Sequence, residues 1–131
     1  MPLTPDLAAL ADETYVSLTT FRRSGEGVST PVWVASDGDA LLVWTARTTG
    51  KVTRLRSDPV VELRACDRRG QVAASARVVA ARAVVAEDAA TLERAERAMV
   101  AAYGVQFRVA RLVERLRRAS HERVAIVITP A

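Results

Sequence analysis

The chain has 131 residues, of which 50% are hydrophobic, and this length suits a single domain (residues 1–131) around one core. Its 19 Lys and Arg residues outnumber 15 Asp and Glu residues, but the acidic residues are interspersed, which favours a protein that does not bind nucleic acid. One cysteine excludes an internal disulfide framework, and the lack of an export signal or a membrane-length apolar run predicts a cytoplasmic protein without a membrane partner.

Residue patterning predicts helices and strands in alternation. In chain order, the predicted elements are a helix over 3–12, strands over 14–21, 28–35 and 40–46, a short helix before Pro59, strands over 60–66 and 71–86, helices over 88–103 and 106–118, and a strand over 122–130. The Asp-Gly turn at 36–39 predicts a tight hairpin, and Pro31 indicates an edge or a bulge. Residues 71–86 form one strand or two joined by a bend, with a helix as the competing interpretation because of their alanine content.

The two helices near the C-terminus are amphipathic. One face of 88–103 consists of Leu92, Ala95, Met99 and Tyr103. The apolar stripe of 106–118 consists of Val109, Leu112, Val113 and Leu116, and its opposite face of Arg108, Arg111, Arg115 and Arg118. We expect these arginines to be solvated, with nucleic-acid binding as the less favoured alternative. An antiparallel meander with a helical pair before its last strand predicts a small barrel, so the fold class is mainly β with α (α+β).

The sequence offers no clear catalytic side chain. His121 and Cys66 are the only histidine and cysteine and lie far apart, so neither a metal site nor a Cys-His nucleophile is indicated. We predict that Cys66 is a buried small hydrophobic residue and that His121 lies at the surface or at a helix end. Motifs for a serine nucleophile, a phosphate-binding P-loop or a dinucleotide site are not found. A bound cofactor would then have to supply the chemistry.

The segment from Trp44 to Arg56 is the best candidate site. It contains no acidic residue, and its polar groups are the cations Arg47, Lys51, Arg54 and Arg56 and the hydroxyl donors Thr45, Thr48 and Thr49. Lys51 is the only lysine in the chain, and Gly50 frees the backbone where a helix begins. Backbone N–H groups at a helix N-terminus and a nearby lysine favour an anion such as a phosphate. A solvated basic helix capped by Thr48 or Thr49 is the alternative, and the residue pattern leaves both open.

The hairpin TPVWVASDGDALLVWT, followed by GKVTRLRSDPVV, resembles the PPOX class of deazaflavin-dependent oxidoreductases, which is related to the pyridoxamine 5′-phosphate oxidases. The resemblance is strongest over residues 18–70 and continues more weakly through AAYGVQFRVARLVERL to the end of the chain. It implies a six-stranded antiparallel split β-barrel with flanking helices. It also implies a homodimer with two cofactor sites in grooves at the interface.

The resemblance also implies roles for individual residues. The cofactor phosphate would be contacted by Thr45, Thr49 and Lys51. The ring system would run along the second strand, beside Thr30, Pro31, Val32 and Trp33. Arg54 and Arg56 would act as supporting charges, and Trp44 would shape the pocket together with Trp33.

Two departures from the wider family bear on the cofactor. Gly50 stands in the cofactor-binding turn where FMN-binding oxidases commonly have Arg, and the C-terminal Arg/His pattern of true pyridoxamine phosphate oxidases is absent around His121. Both favour coenzyme F420 over FMN. The implied activity is hydride transfer from reduced F420 to a small electron-poor organic substrate. The alternatives are an FMN-binding flavoprotein of the same fold and a non-catalytic F420-binding carrier.

Overall fold

The computed structural model of the chain describes residues 3–116 and 122–131. Its helices are α1 (Pro5–Leu10), α2 (Gly50–Ser57), α3 (Ala89–Tyr103) and α4 (Val105–Leu116). Its strands are β1 (Tyr15–Phe21), β2 (Gly27–Trp33), β3 (Ala35–Ser36), β4 (Leu41–Ala46), β5 (Val60–Ala65), β6 (Val79–Ala86) and β7 (Arg123–Pro130). All neighbouring strands pair antiparallel in one sheet with the order β2-β1-β5-β6-β7-β4-β3. This confirms the predicted α+β split-barrel fold.

The two edges of this sheet are consecutive parts of one stretch of chain. β2 pairs with β1 at one edge and β3 pairs with β4 at the other, and only Val34 separates β2 from β3. The continuous chain therefore brings the two edges together and closes the sheet. The prediction of one strand over 28–35, and of six strands in total, was wrong in this respect, because the strand changes partner at Val34 and the described barrel has seven strands.

Tyr103, the last residue of α3, satisfies the backbone at this change of partner. Its hydroxyl accepts a hydrogen bond from the Val34 N–H at 3.1 Å and donates one to the Val34 carbonyl. Val34 is 1% exposed, so its peptide groups need a partner inside the protein. The Tyr103 ring also stacks on Trp33, with 4.8 Å between the ring centroids. This contact joins α3 to the seam of the barrel.

The protein has two apolar layers, one inside the barrel and one between the sheet and its helices. The interior contains the fully buried Val16, Leu18, Leu41, Val61, Leu63, Ile126 and Ile128, together with Leu7 and Leu10 of α1. Outside the barrel, α3 buries Ala95, Ala98 and Met99 against Leu42 and Ala125. The predicted face of residues 88–103 is confirmed, because Leu92 and Tyr103 also contact this second cluster. No helix in the described ranges has both the length and the apolar character needed to cross a membrane.

Two other sequence expectations differ from the structure. The strand predicted over 71–86 exists only as Val79–Ala86, because β5 offers pairing partners only from Val60 to Leu63 and residues 71–78 have none. The arginine face of α4 was predicted to be solvated, but one of its arginines, Arg111, packs against the barrel. Phe107 is 4% exposed and the Arg111 guanidinium lies 4.9 Å from the Trp44 ring centroid, whereas Leu112 and its apolar neighbours face solvent.

Replacing Tyr103 by Phe should destabilise the fold while keeping the ring stack. We expect a loss of about 1–3 kcal/mol, because the buried Val34 peptide groups lose their hydrogen-bond partner. Thermal unfolding should show a fall in Tm on the order of 5–10 °C. Tyr15→Phe is the matched control, since the Tyr15 hydroxyl forms no hydrogen bond to any residue that the structure describes. An equal Tm for the two variants would contradict the role of the Tyr103 hydroxyl.

Candidate functional site

The turn between β4 and α2 leaves the first amides of the helix without a side-chain cap. Thr49 is the N-cap residue with an extended backbone (φ −71°, ψ 153°). Its hydroxyl does not bond to the helix amides and instead donates to the Ala46 carbonyl at 3.0 Å. The alternative of a helix capped by the Thr49 side chain is therefore wrong. Uncapped N–H groups at a helix N-terminus are a binding site for an anion when cations lie nearby.

Lys51, in the first turn of α2, is a half-buried cation. Burial lowers the pKa of its ammonium group, and the charge of nearby Arg54 lowers that pKa further. None of the ion pairs found in residues 3–116 and 122–131 includes Lys51. An anion at this position would offset both effects, because a negative charge favours the protonated lysine.

Arg54 is held over the same end of the helix. Its Nε donates to Thr20 Oγ1 at 2.6 Å, and Thr20 is fully buried near the end of β1. A Cβ atom added to Gly50 would lie 2.7 Å from Arg54 Nη1, so Gly50 leaves the space that the guanidinium occupies. The structure thus brings Gly50, Lys51 and Arg54 together. Sequence reasoning missed Thr20, because 34 residues separate it from Arg54 and no local signal joins them.

Thr45 and Trp44 point to opposite faces of β4, as neighbouring residues of a strand do. Thr45 is 7% exposed and lies on the barrel side, where α2 buries Leu55. Trp44 lies on the outer side, where the ring of Phe107 meets it edge-on at 6.0 Å between centroids. The predicted phosphate contacts Thr45, Thr49 and Lys51 therefore flank one turn. Trp44 belongs to the layer beneath α4.

The four predicted ring contacts on β2 are likewise divided between two faces. Val32 belongs to the barrel core, and Thr30 points the same way with a buried hydroxyl that has no hydrogen-bond partner among residues 3–116 and 122–131. Pro31 is exposed on the opposite face, and Trp33 packs on Tyr103 of α3. β2 is nevertheless close to the α2 turn, because Thr20, which binds Arg54, pairs with Val28 of β2.

Arg56 and Arg47 are engaged in surface ion pairs. Arg56 contacts the Glu87 carboxylate at 3.3 Å, and Arg47 contacts Glu87 at 3.1 Å and Glu122 at 2.6 Å. These side chains are about half exposed, so each pair contributes on the order of 0–1 kcal/mol to stability. Arg56 lies in the last turn of α2, away from the uncapped amides, and its role as a supporting charge stays a prediction.

The Cys66 thiol is poorly suited to act as a nucleophile. Burial raises the pKa of the Cys66 thiol, and the charges of Asp67 and Glu13 raise it further, so little reactive thiolate forms near neutral pH. Cys66 is half-buried rather than fully buried. The part of the chain that the structure describes contains no group of three or more residues suited to hold a metal. His121 lies outside the described residues.

Comparisons with known proteins agree with this fold. The family model described as pyridoxamine 5′-phosphate oxidase matches residues 3–131. Among solved structures, the haem storage protein HutZ from Vibrio cholerae has a TM-score of 0.68 at 14% identity, covering 100% of this chain and 92% of that one. A conserved hypothetical protein from Mycobacterium tuberculosis has a TM-score of 0.66 at 22% identity, covering 99% and 86%.

A third solved structure, named as an F420 reductase, has a TM-score of 0.57 at 17% identity, covering 98% of this chain and 96% of that one. At these identities the structural similarity shows the fold alone. No curated protein is similar enough in sequence to count as a relative.

The α2 turn should bind inorganic phosphate through Lys51. Phosphate at ten times its Kd would stabilise the folded protein by about 1.4 kcal/mol, which a thermal shift detects. We expect Lys51→Met, which keeps the apolar stem and removes the charge, to lose this shift. Arg77→Ala, at an exposed arginine paired only with Asp6 in the described ranges, should keep it. Chloride at equal ionic strength measures general screening, and equal shifts for wild type and Lys51→Met would exclude the turn as an anion site.

Proposed function

Because the chain belongs to the pyridoxamine 5′-phosphate oxidase family, we propose that it is a cofactor-dependent oxidoreductase that uses reduced coenzyme F420. The observation that carries this proposal is the α2 turn, where uncapped amides, Lys51 and Arg54 lie together and no carboxylate within 3–116 or 122–131 pairs with either side chain. These groups fit a phosphate, and both F420 and FMN contain one. The similarity to a structure named as an F420 reductase supports the choice of cofactor.

We propose that the α2 turn holds the cofactor phosphate and that β2 borders the ring system. Lys51 and the first amides of α2 would bind the phosphate oxygens, and Thr49 and Thr45 would line the turn. Arg54 would supply a second positive charge, already oriented by Thr20. On β2, the predicted ring contacts are divided between the two faces of the strand, and Pro31 is the exposed one.

When bound, the reduced deazaflavin would supply a hydride to an electron-poor double bond or a similar acceptor. The residues of this chain would bind and orient the cofactor, and none of the described side chains is placed as a catalytic acid. The raised pKa of the Cys66 thiol argues against a nucleophilic role for that residue. A substrate proton would then come from solvent. We further propose a cytoplasmic homodimer with a small-molecule substrate.

Three other functions remain as defined alternatives. An FMN-binding flavoprotein would use the same α2 turn, and a carrier would bind F420 without turnover. Haem binding is a further candidate because of the similarity to the haem storage protein HutZ. A haem site needs an axial ligand, most often histidine, and the only histidine of this chain is His121.

Parallel titrations of the purified protein with F420, FMN and haemin test the proposal. We expect fluorescence titration to show F420 binding tighter than FMN, and haemin to give no sharp Soret band. Lys51→Ala should weaken F420 binding by about 1–3 kcal/mol, because the variant loses a charge-assisted contact. Arg77→Ala should bind like wild type. Unchanged affinity in Lys51→Ala would remove the phosphate assignment, and F420 binding with no reduction of any acceptor would indicate a carrier.

The affinity for F420 should also depend on pH through Lys51. Burial, and to a smaller degree the charge of Arg54, lower its pKa in the free protein, so its positive charge is lost at a lower pH than for an ordinary lysine. We therefore expect affinity to fall as pH rises from about 7 to about 10. Lys51→Arg, which stays charged over this range, should show a smaller fall. Identical pH profiles for wild type and Lys51→Arg would show that Lys51 does not carry the dependence.

A further inference from the structure

Helix α4 exposes its apolar side to solvent. The exposed residues form a stripe, here called the α4 stripe, consisting of Val105 (75% exposed), Val109 (51%), Leu112 (55%), Val113 (39%) and Leu116 (74%). With about 3.6 residues per turn, these five side chains occupy an arc of roughly 100° along the length of the helix. An isolated exposed leucine or valine is ordinary, but a continuous apolar face of this kind marks an interaction site.

Three contacts keep the α4 stripe turned outward. Phe107 is buried against Trp44, and the Arg111 guanidinium lies 4.9 Å from the centroid of the same indole ring. Glu114 forms an ion pair with Arg123 of β7 at 2.7 Å. Turning the helix to bury the stripe would break all three contacts, so the stripe is available to another molecule and not to the body of its own chain.

Positive charge borders the α4 stripe. Arg108 is exposed and adjoins the stripe at three- and four-residue spacing. Arg97 of α3 lines the same shallow groove as Arg108, and no ion pair within the described residues includes either arginine. Of the two carboxylates in this groove, Glu96 is already paired and Glu93 is exposed. Residues 105–118 contain five arginines and one glutamate, so the stripe belongs to a strongly basic segment.

A second copy of the chain offers the stripe no matching surface within the described ranges. The other large hydrophobic residues exposed there are Val60, Val78 and Val84. They do not form one apolar patch, because the exposed Arg82 interrupts it and Val78 lies six residues from Val84. Two stripes packed on each other would bring two strongly basic helices together, which like-charge repulsion opposes.

We propose that the α4 stripe binds the surface of a membrane that contains anionic lipid. The helix would lie parallel to this surface, with its valine and leucine side chains among the acyl chains. Arg97 and Arg108 would extend to the lipid phosphates, so that the apolar face and its basic border are used together. The proposed cytoplasmic location would bring the chain to the negatively charged cytoplasmic leaflet.

The proposed attachment is peripheral. Helix α4 has 12 residues and is therefore about 18 Å long, too short to cross a hydrocarbon core of roughly 30 Å. The sequence predicted no membrane partner because it has no membrane-length apolar run, but that criterion concerns a helix that spans the bilayer and not one that lies in its interface. Because electrostatic attraction contributes, the binding should weaken as salt is added.

Co-sedimentation of the full chain with vesicles, without cofactor, tests the proposal. Vesicles of phosphatidylcholine alone are compared with vesicles of phosphatidylcholine and phosphatidylglycerol in equal parts. We expect wild type to bind the mixed vesicles about tenfold more tightly than the neutral ones and to dissociate as sodium chloride is raised. Leu112→Asp should weaken binding to the mixed vesicles about tenfold or more, because a carboxylate replaces the centre of the apolar face. Ala9→Asp, which places the same charge at an exposed position of α1, should bind like wild type.

The basic border is tested by its own matched pair of variants. Arg108→Gln should weaken binding to the mixed vesicles about fivefold at low salt and should make it less sensitive to sodium chloride. Arg77→Gln removes the same charge at an exposed arginine that pairs with Asp6 of α1, and it should bind like wild type. Equal losses in the two variants would show that net charge, and not the border of the stripe, attracts the lipid.

Wild type that fails to bind the mixed vesicles at low salt would overturn the proposal, as would Leu112→Asp that binds like wild type. Light scattering without vesicles covers the remaining occupant, because a dimer that becomes a monomer in Leu112→Asp would show that the stripe is a subunit contact instead. Should circular dichroism show that Leu112→Asp does not fold, Leu112→Ala decides: it should bind severalfold more weakly, and unchanged binding would contradict the role of the stripe. Each readout is taken without F420, so a protein that binds vesicles but not F420 would remove the proposed function alone.

Discussion

The hydrogen bonds between the Tyr103 hydroxyl and the Val34 backbone join helix α3 to the seam of the barrel, although 69 residues separate Tyr103 from Val34 in the chain. Val34 is the residue at which one strand leaves β1 and joins β4, so a regular ladder cannot satisfy both of its peptide groups. The hydroxyl of Tyr103, at the end of α3, accepts from the Val34 N–H and donates to the Val34 carbonyl. The same side chain therefore joins the seam of the sheet to the helical layer, and its ring packs on Trp33 beneath that layer.

A second constraint is electrostatic and lies where β4 meets α2. Two cations, Lys51 and Arg54, are held within one helical turn, and the carboxylates of Glu87 and Glu122 pair instead with Arg47 and Arg56. Burial lowers the pKa of Lys51, and the charge of Arg54 lowers it further. Gly50 takes part through its missing side chain, because the Arg54 guanidinium occupies that space. Arg54 therefore brings to this turn the positive charge that an arginine in place of Gly50 would supply.

The helical pair shows why amphipathicity does not by itself define a core. In α3 the apolar face predicted from spacing is the buried one. In α4 the same kind of spacing produces a stripe that faces solvent, while Phe107, Arg111 and Glu114 make the inward contacts. A guanidinium that stacks on Trp44 and a short ion pair to Arg123 replace apolar contacts on that side. The difference arises because the sheet presents an indole ring and an arginine to α4, and apolar strand residues to α3.

Local chemistry determined much of this protein in advance. Strand and helix identity, the Asp-Gly hairpin, the α+β class and the cation-rich turn around Lys51 follow from side-chain periodicity, turn residues and charge, which act over a few positions. The tertiary structure alone decided the break at Val34, the bond from Arg54 to Thr20 and the outward stripe of α4. Each of these depends on which distant residue stands opposite. Such contacts join residues far apart in the chain, so local periodicity and turn chemistry carry no signal for them.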